Sequence, residues 1–205
     1  MLNVNDREKL ENRINEIISE ISSSAFGYCN AGLSSQQIIE RVVNTTVNKL
    51  TPESKMLLNS VCNMMENNTF KSELYNNAEV KAAYYALDIR SDFTKRFSFD
   101  VPKNIDYKES ENSIKTLVAS GAVIVVGGAV SIAVKSIVPV CIAVVIAAVM
   151  AFVLHKCTNK ATSSSIKEFI QEYLQNVKNT IMKWFDEIER YYDEKISKFE
   201  ENYGK

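Results

Sequence analysis

Histidine is all but absent from this chain: His155 stands alone, so neither a Ser-His-Asp nor a Cys-His relay can be assembled. Glycine is sparse as well. The one adjacent pair, Gly127-Gly128, lies in an apolar run with no following Lys-Ser or Lys-Thr, which rules out a phosphate-cradling loop. Four cysteines, Cys29, Cys62, Cys141 and Cys157, are widely scattered and form no CxxC pair with metal-ligand spacing. They read as buried small residues or idle thiols of a reducing compartment. Excess charge of either sign is missing too: 24 basic against 25 acidic residues give no overall pull toward nucleic acid or an anionic surface. Acid pairs such as Glu187-Glu189 and Glu200-Glu201 read as solvated helix surface. The expectation is a non-enzyme with no cofactor, no metal and no nucleic-acid partner.

A secretory signal is also lacking. The opening MLNVNDREKLENRINEII is charged and has no basic-then-apolar layout, so residence is expected to begin in the cytosol. Asn44-Thr45-Thr46 and Asn67-Asn68-Thr69 match the glycosylation acceptor pattern, and without a signal they read as chance.

What is present is helical periodicity. Leu10, Ile14, Ile17, Ile18 and Ile21 recur three and four apart, predicting a first helix from about Asn5 to Ser23, with Gly27 and Gly32 bracketing a break. Ser34 followed by Gln37 is a capping-box pattern ahead of Ile38, Ile39, Val42, Val43 and Val47, the second helix. Thr51-Pro52-Glu53 supplies a cap, a proline suited to a first helical position and an acid at the positive end of the dipole, predicting a third helix carrying Met56, Leu57, Val61, Met64 and Met65. A fourth helical region follows Thr69, with a break expected near Asn76-Asn77, and continues through Ala82, Ala83, Tyr84, Leu87 and Ile89. FTKRFSFDVPKNIDYKESEN then loses the period. The expected division is an N-terminal helical domain over 1–98, a linker over 99–112, an apolar hairpin over 113–157 and a long helix over 163–203.

The apolar segment differs in kind. From Thr116 to Leu154 only Lys135 is charged, with 19 uncharged residues on either side of it. A hydrocarbon core of about 30 Å needs roughly 20 helical residues, so each half is about one membrane thickness long. Lys135, Ser136 and Pro139 mark a tip, giving a transmembrane-type helical hairpin with arms of about Ser113 to Val134 and Pro139 to Cys157. Small residues line both arms: Thr116, Ser120, Gly127, Gly128 and Ser131 on the first, Ala143, Ala147 and Ala151 on the second. Small side chains let backbones approach where lipid removes the hydrophobic drive, so these faces are expected to pack on each other. Lys103, Lys108, Lys115, Lys156, Lys160 and Lys167 flank the open end, which predicts both termini on the cytoplasmic side. His155 reads as an interfacial residue. The richness in valine and isoleucine also suits a β-hairpin, which would leave unpaired edges in lipid.

The last stretch carries an 11-residue repeat. Ile166, Val177, Ile188 and Phe199 form one row; Ile170, Ile181, Tyr192 and Tyr203 a second; Leu174, Phe185 and Ile196 a third. At 3.67 residues per turn the stripe stays on one side of a nearly straight helix, capped by Ser163, Ser164 or Ser165 and about 60 Å long. Tyr173, Trp184, Phe185 and Tyr191 widen its apolar face. Nine acids against seven bases argue against lying flat on a membrane. The helix is expected to pack on the N-terminal helices, on other copies or on a helical protein partner.

In layout, Ser113 to Cys157 within helical surroundings resembles the α-helical pore-forming proteins, the colicin pore domain in particular, where an all-helical chain hides an apolar hairpin. The long helix after the hairpin is similar to toxins whose apolar tongue joins two long helices. That resemblance implies an all-α bundle that is cytosolic before insertion and then acts on a lipid bilayer as a pore-forming or membrane-perturbing effector. The alternative is a hairpin that anchors a helical assembly module permanently, with no pore activity. Dynamin-like remodellers also carry such hairpins, but their GTPase motifs are missing here.

Overall fold

The computed structural model of the chain describes residues 2–97, 106–108, 115–119, 122–126 and 163–203. Apart from three short strands, every described element is helical: α1 (Val4–Cys29), α2 (Ser35–Thr69), a 3-10 turn (Glu73–Asn76), α3 (Ala78–Ala86), α4 (Ile89–Phe97) and α5 (Ser163–Tyr203).

Local chemistry starts α1 and α2. Asn3 and Asp6 form a reciprocal capping box, the Asp6 amide donating to the Asn3 side chain at 2.8 Å; Ser34 and Gln37 do the same for α2. α1 outruns its expected end at Ser23 by almost two turns, because Ala25 is fully buried and the Tyr28 hydroxyl bonds Thr45 at 3.0 Å. The reversal comes at Gly32, whose φ of +69° is the left-handed backbone that glycine adopts without a Cβ penalty.

The larger correction lies in α2, which runs unbroken through Pro52 where the sequence predicts two helices. Tertiary contacts override the start signal. Val42, Thr46, Leu50, Glu53, Ser54, Leu57 and Leu58 are all buried along the stretch. Glu53, expected to serve the dipole of a new helix, instead accepts from Arg13 Nη2 of α1 on both carboxylate oxygens, at 2.8 and 2.9 Å. The Thr51 hydroxyl donates to the Val47 carbonyl at 2.8 Å rather than capping forward. Met56, assigned to the stripe, faces outward at 52% exposure.

α1 and α2 are antiparallel neighbours, since the end of α2 meets the start of α1: the Asn68 amide donates to Asp6 at 2.7 Å. α5 runs against α1 as well. The Leu2 amide donates to Glu189 at 2.8 Å, Lys178 reaches Glu11 at 2.8 Å, and Arg7 pairs with Asp186 and Glu189. Three long helices thus form the body, with α3 and α4 closing one end against the C-terminal half of α5. All ten central stripe residues of α5, Ile166, Ile170, Leu174, Val177, Ile181, Phe185, Ile188, Tyr192, Ile196 and Phe199, are buried, as are Tyr173 and Trp184. Each such side chain contributes about 1.5–3 kcal/mol relative to leaving it in water, before the cost of ordering it. Tyr203, in the same repeat, is 46% exposed at the helix end.

Within the stretch where the first membrane arm is expected as helix, residues 115–119 and 122–126 form strands instead, and the rest of the arm lies outside the described residues. β1 (Asp106–Lys108), β2 (Lys115–Ala119) and β3 (Ala122–Val126) form an antiparallel sheet in that order, with Thr116 opposite Val125 and Leu117 opposite Ile124. The β-branched content of TLVA and AVIVV explains the preference: such side chains keep more rotamer freedom on a pleated surface than against a helical turn. β1 also falls inside the expected linker.

Pro52 is exposed, so its replacement removes strain without removing core contacts. Pro52→Ala is expected to stabilise the fold by about 2 kcal/mol, the helix-interior penalty less the looser unfolded chain, read as a higher urea midpoint at unchanged slope.

Candidate functional site

The described helices lead into the apolar segment through α4, and α4 is held by a compact clasp on α5. Ile89, Phe93 and Phe97, spaced four apart, are all buried on one face. The Phe93 ring lies 5.8 Å from Tyr191 and 6.1 Å from Tyr192, and Phe97 lies 5.6 Å from Tyr191. Beside them the Asp92 carboxylate accepts from Lys195 Nζ and from the Tyr191 hydroxyl, each at 3.1 Å. The Arg96 guanidinium sits 4.6 Å from the Tyr191 ring centre. On its other side α4 is tied to α2 by Arg90, which bonds Glu66 and Asn63.

Polar groups under the clasp are mated. The Tyr192 hydroxyl lies 2.7 Å from that of Thr69 and 3.0 Å from that of Tyr84, and Tyr75 donates to Glu200 at 3.0 Å. Burial, reinforced by those bonds, pushes the Tyr84 and Tyr75 phenols well above their ordinary value. Burial also pushes the Cys62 thiol up to about 12, so it stays protonated in neutral solution and is no nucleophile there. These groups position helices. Glu189 and Glu200 belong with them: read from sequence as solvated surface, they accept bonds from the Leu2 amide and from Tyr75. Among the described residues, no group of three or more His, Cys, Asp or Glu converges as metal ligands would.

The residues singled out in the sequence divide cleanly. The α5 stripe is gathered into one core with α1, α2 and α4. Of the hairpin residues, Thr116 lies in β2, whereas Ser120, Gly127, Gly128, Ser131, Lys135, Ser136, Pro139, Ala143, Ala147 and Ala151 lie outside the described residues, as do His155, Cys141 and Cys157. Among the described residues, no helix is long and apolar enough to cross a membrane. Sequence reasoning missed the clasp by placing Phe93 and Phe97 at the start of an aperiodic stretch; the four-residue spacing of Ile89, Phe93 and Phe97 was the available signal.

No protein-family model, no curated protein and no solved structure matches this chain.

The Lys195 bond, with lesser help from Tyr191, holds the Asp92 carboxyl below its ordinary 3.8. A carboxylate with a depressed folded value contributes fully above the unfolded value and loses that contribution as pH falls through the folded one. Amide exchange in α4, normalised to that in α2, is therefore expected to rise between about pH 5 and about pH 3. Asp92→Asn, which carries no charge to lose, should flatten that pH dependence; an unchanged slope would show that the clasp does not depend on the carboxylate.

Proposed function

We propose that this protein is a membrane-inserting helical effector: a soluble body carries the apolar segment over 113–157, and that segment perturbs or perforates a lipid bilayer. The observation that carries the reading is a mismatch of environments. Thr116 to Leu154 holds a single charge, while the described helices already bury their stripes against one another in one contiguous core. Among the described residues the exposed large hydrophobics are Val4, Met56, Tyr85 and Tyr203, on four different helices. No broad apolar face is left there to sheath 39 nearly uncharged residues, and lipid tails are the medium that accepts them.

The segment's attachment points suit this role. α4 ends at Phe97 against Tyr191, while α5 begins at Ser163, 28 residues earlier along the same helix and therefore about 42 Å away. A linker over 99–112 can extend roughly 45 Å, enough to bring both ends of the hairpin to one membrane surface. Among the described residues the sheet of β1 to β3 has two edge strands, and a bilayer offers nothing to satisfy such edges. A helical arm satisfies its own backbone, so insertion converts this stretch to the hairpin form. There Thr116, Ser120, Gly127, Gly128 and Ser131 face Ala143, Ala147 and Ala151, with Lys135, Ser136 and Pro139 crossing to the far side. The partners are then the bilayer and further copies of the chain.

The purified chain is expected to be recovered in part as a soluble form and to release carboxyfluorescein from liposomes. Gly127→Leu with Ala147→Leu, which separate the arms, should slow release at least several-fold. Recovery wholly in a carbonate-resistant pellet with intact liposomes would instead establish a permanent anchor.

A further inference from the structure

We infer that Asp88 is a strained hinge which, by straightening, joins α3 and α4 into one helix and lifts α4 off α5. Its purpose rests on the membrane-insertion reading above; its geometry does not. Asp88 is the one non-glycine residue with positive φ among the described residues, at 48°. Left-handed backbone is uncomfortable for any residue with a Cβ, although aspartate tolerates it better than most. Both neighbours are in helical geometry: Leu87 has φ −68° and ψ −18°, and α4 begins at Ile89. One pair of dihedrals separates two nine-residue helices from a single helix of about 30 Å.

Nothing local demands the bend. AEVKAAYYALDIRSDFTKRF, from Ala78 to Phe97, contains neither glycine nor proline and carries four alanines, the best helix formers. The break is therefore imposed by what α4 touches. Burial of Ile89, Phe93 and Phe97, with the Asp92 contacts to Lys195 and Tyr191, holds the last nine residues against α5 in opposition to their own preference for continuing α3. α3 stays fixed through buried Val80 and Tyr84, so it is the pivot and α4 the arm that swings. In water the bent form prevails, since straightening exposes two phenylalanines. A bilayer that accepts those rings and the adjoining segment favours the straight form, and only such differential affinity can shift the balance.

Gly and Ala at position 88 separate the hinge from every other effect of the side chain, because both remove the same carboxylate. Asp88→Gly relaxes the left-handed backbone and should slow α4 amide exchange in the full chain; Asp88→Ala strains it further and should speed that exchange roughly fivefold, with α2 amides unchanged as reference. Carboxyfluorescein release from phosphatidylcholine–phosphatidylglycerol vesicles should follow the same order, Ala fastest and Gly slowest. Asp88 is exposed, so both variants keep the core. Equal or reversed exchange in the two variants overturns the hinge. Opposite exchange shifts with no leakage from any form uphold the hinge and remove the membrane reading, whereas equal leakage with identical exchange removes the hinge and leaves that reading standing.

Discussion

The burial of one side of α5 is the constraint on which the described structure depends. An isolated helix has little stability of its own in water, and most helical stability in proteins comes from packing an amphipathic face. In α5 that face repeats every 11 residues, close enough to the natural helical period for the stripe to remain on one side over 41 residues. α1 and the first part of the chain close over it, α2 flanks them, and α4 seals the end where Tyr191 and Tyr192 lie. Fully buried Ile170, Ile188 and Phe185 meet fully buried Ile14, Ile17 and Ile21 within one cluster, so loss of the α5 stripe would unseat α1 as well.

Apolar stripes fix which faces meet but specify poorly how far one helix slides along another. Buried polar contacts set that register. Glu53 accepts from Arg13 at a single level of the α1–α2 pair, Asp6 accepts from Asn68 at its end, and Tyr192 sits between Thr69 and Tyr84. A slip of one turn would leave a carboxylate or a phenol desolvated with no partner, at a cost of roughly 1–3 kcal/mol or more for a charged group. Exposed pairs such as Arg190 with Glu187 add little by comparison.

Against this self-contained body, the segment from Thr116 to Leu154 stands apart in kind. Amphipathic helices have one face to satisfy, and their neighbours satisfy it; a segment apolar all round needs an apolar medium all round. The proposed activity follows from that asymmetry, and α4, the described helix through which the chain leaves the body, is the natural place for its control.

Sequence alone determined the helical character of the body, the caps at Asn3 and Ser34, the α5 stripe and the singular composition of the apolar segment, because each is a local or periodic signal. It did not determine that α2 passes through Pro52, that Phe93 and Phe97 belong to a helix, that Glu189 and Glu200 are structural acceptors, or that 115–119 pairs with 122–126 as strands. Those outcomes rest on partners distant in the chain or on near-balanced local preferences. Arg13 makes Glu53 worth burying; Tyr191 and Tyr192 make a bend at Asp88 worth its strain; valine and isoleucine leave helix and strand close in energy. Where local preference is weak or opposed, contact with the rest of the molecule decides, and that contact exists only once the chain has folded.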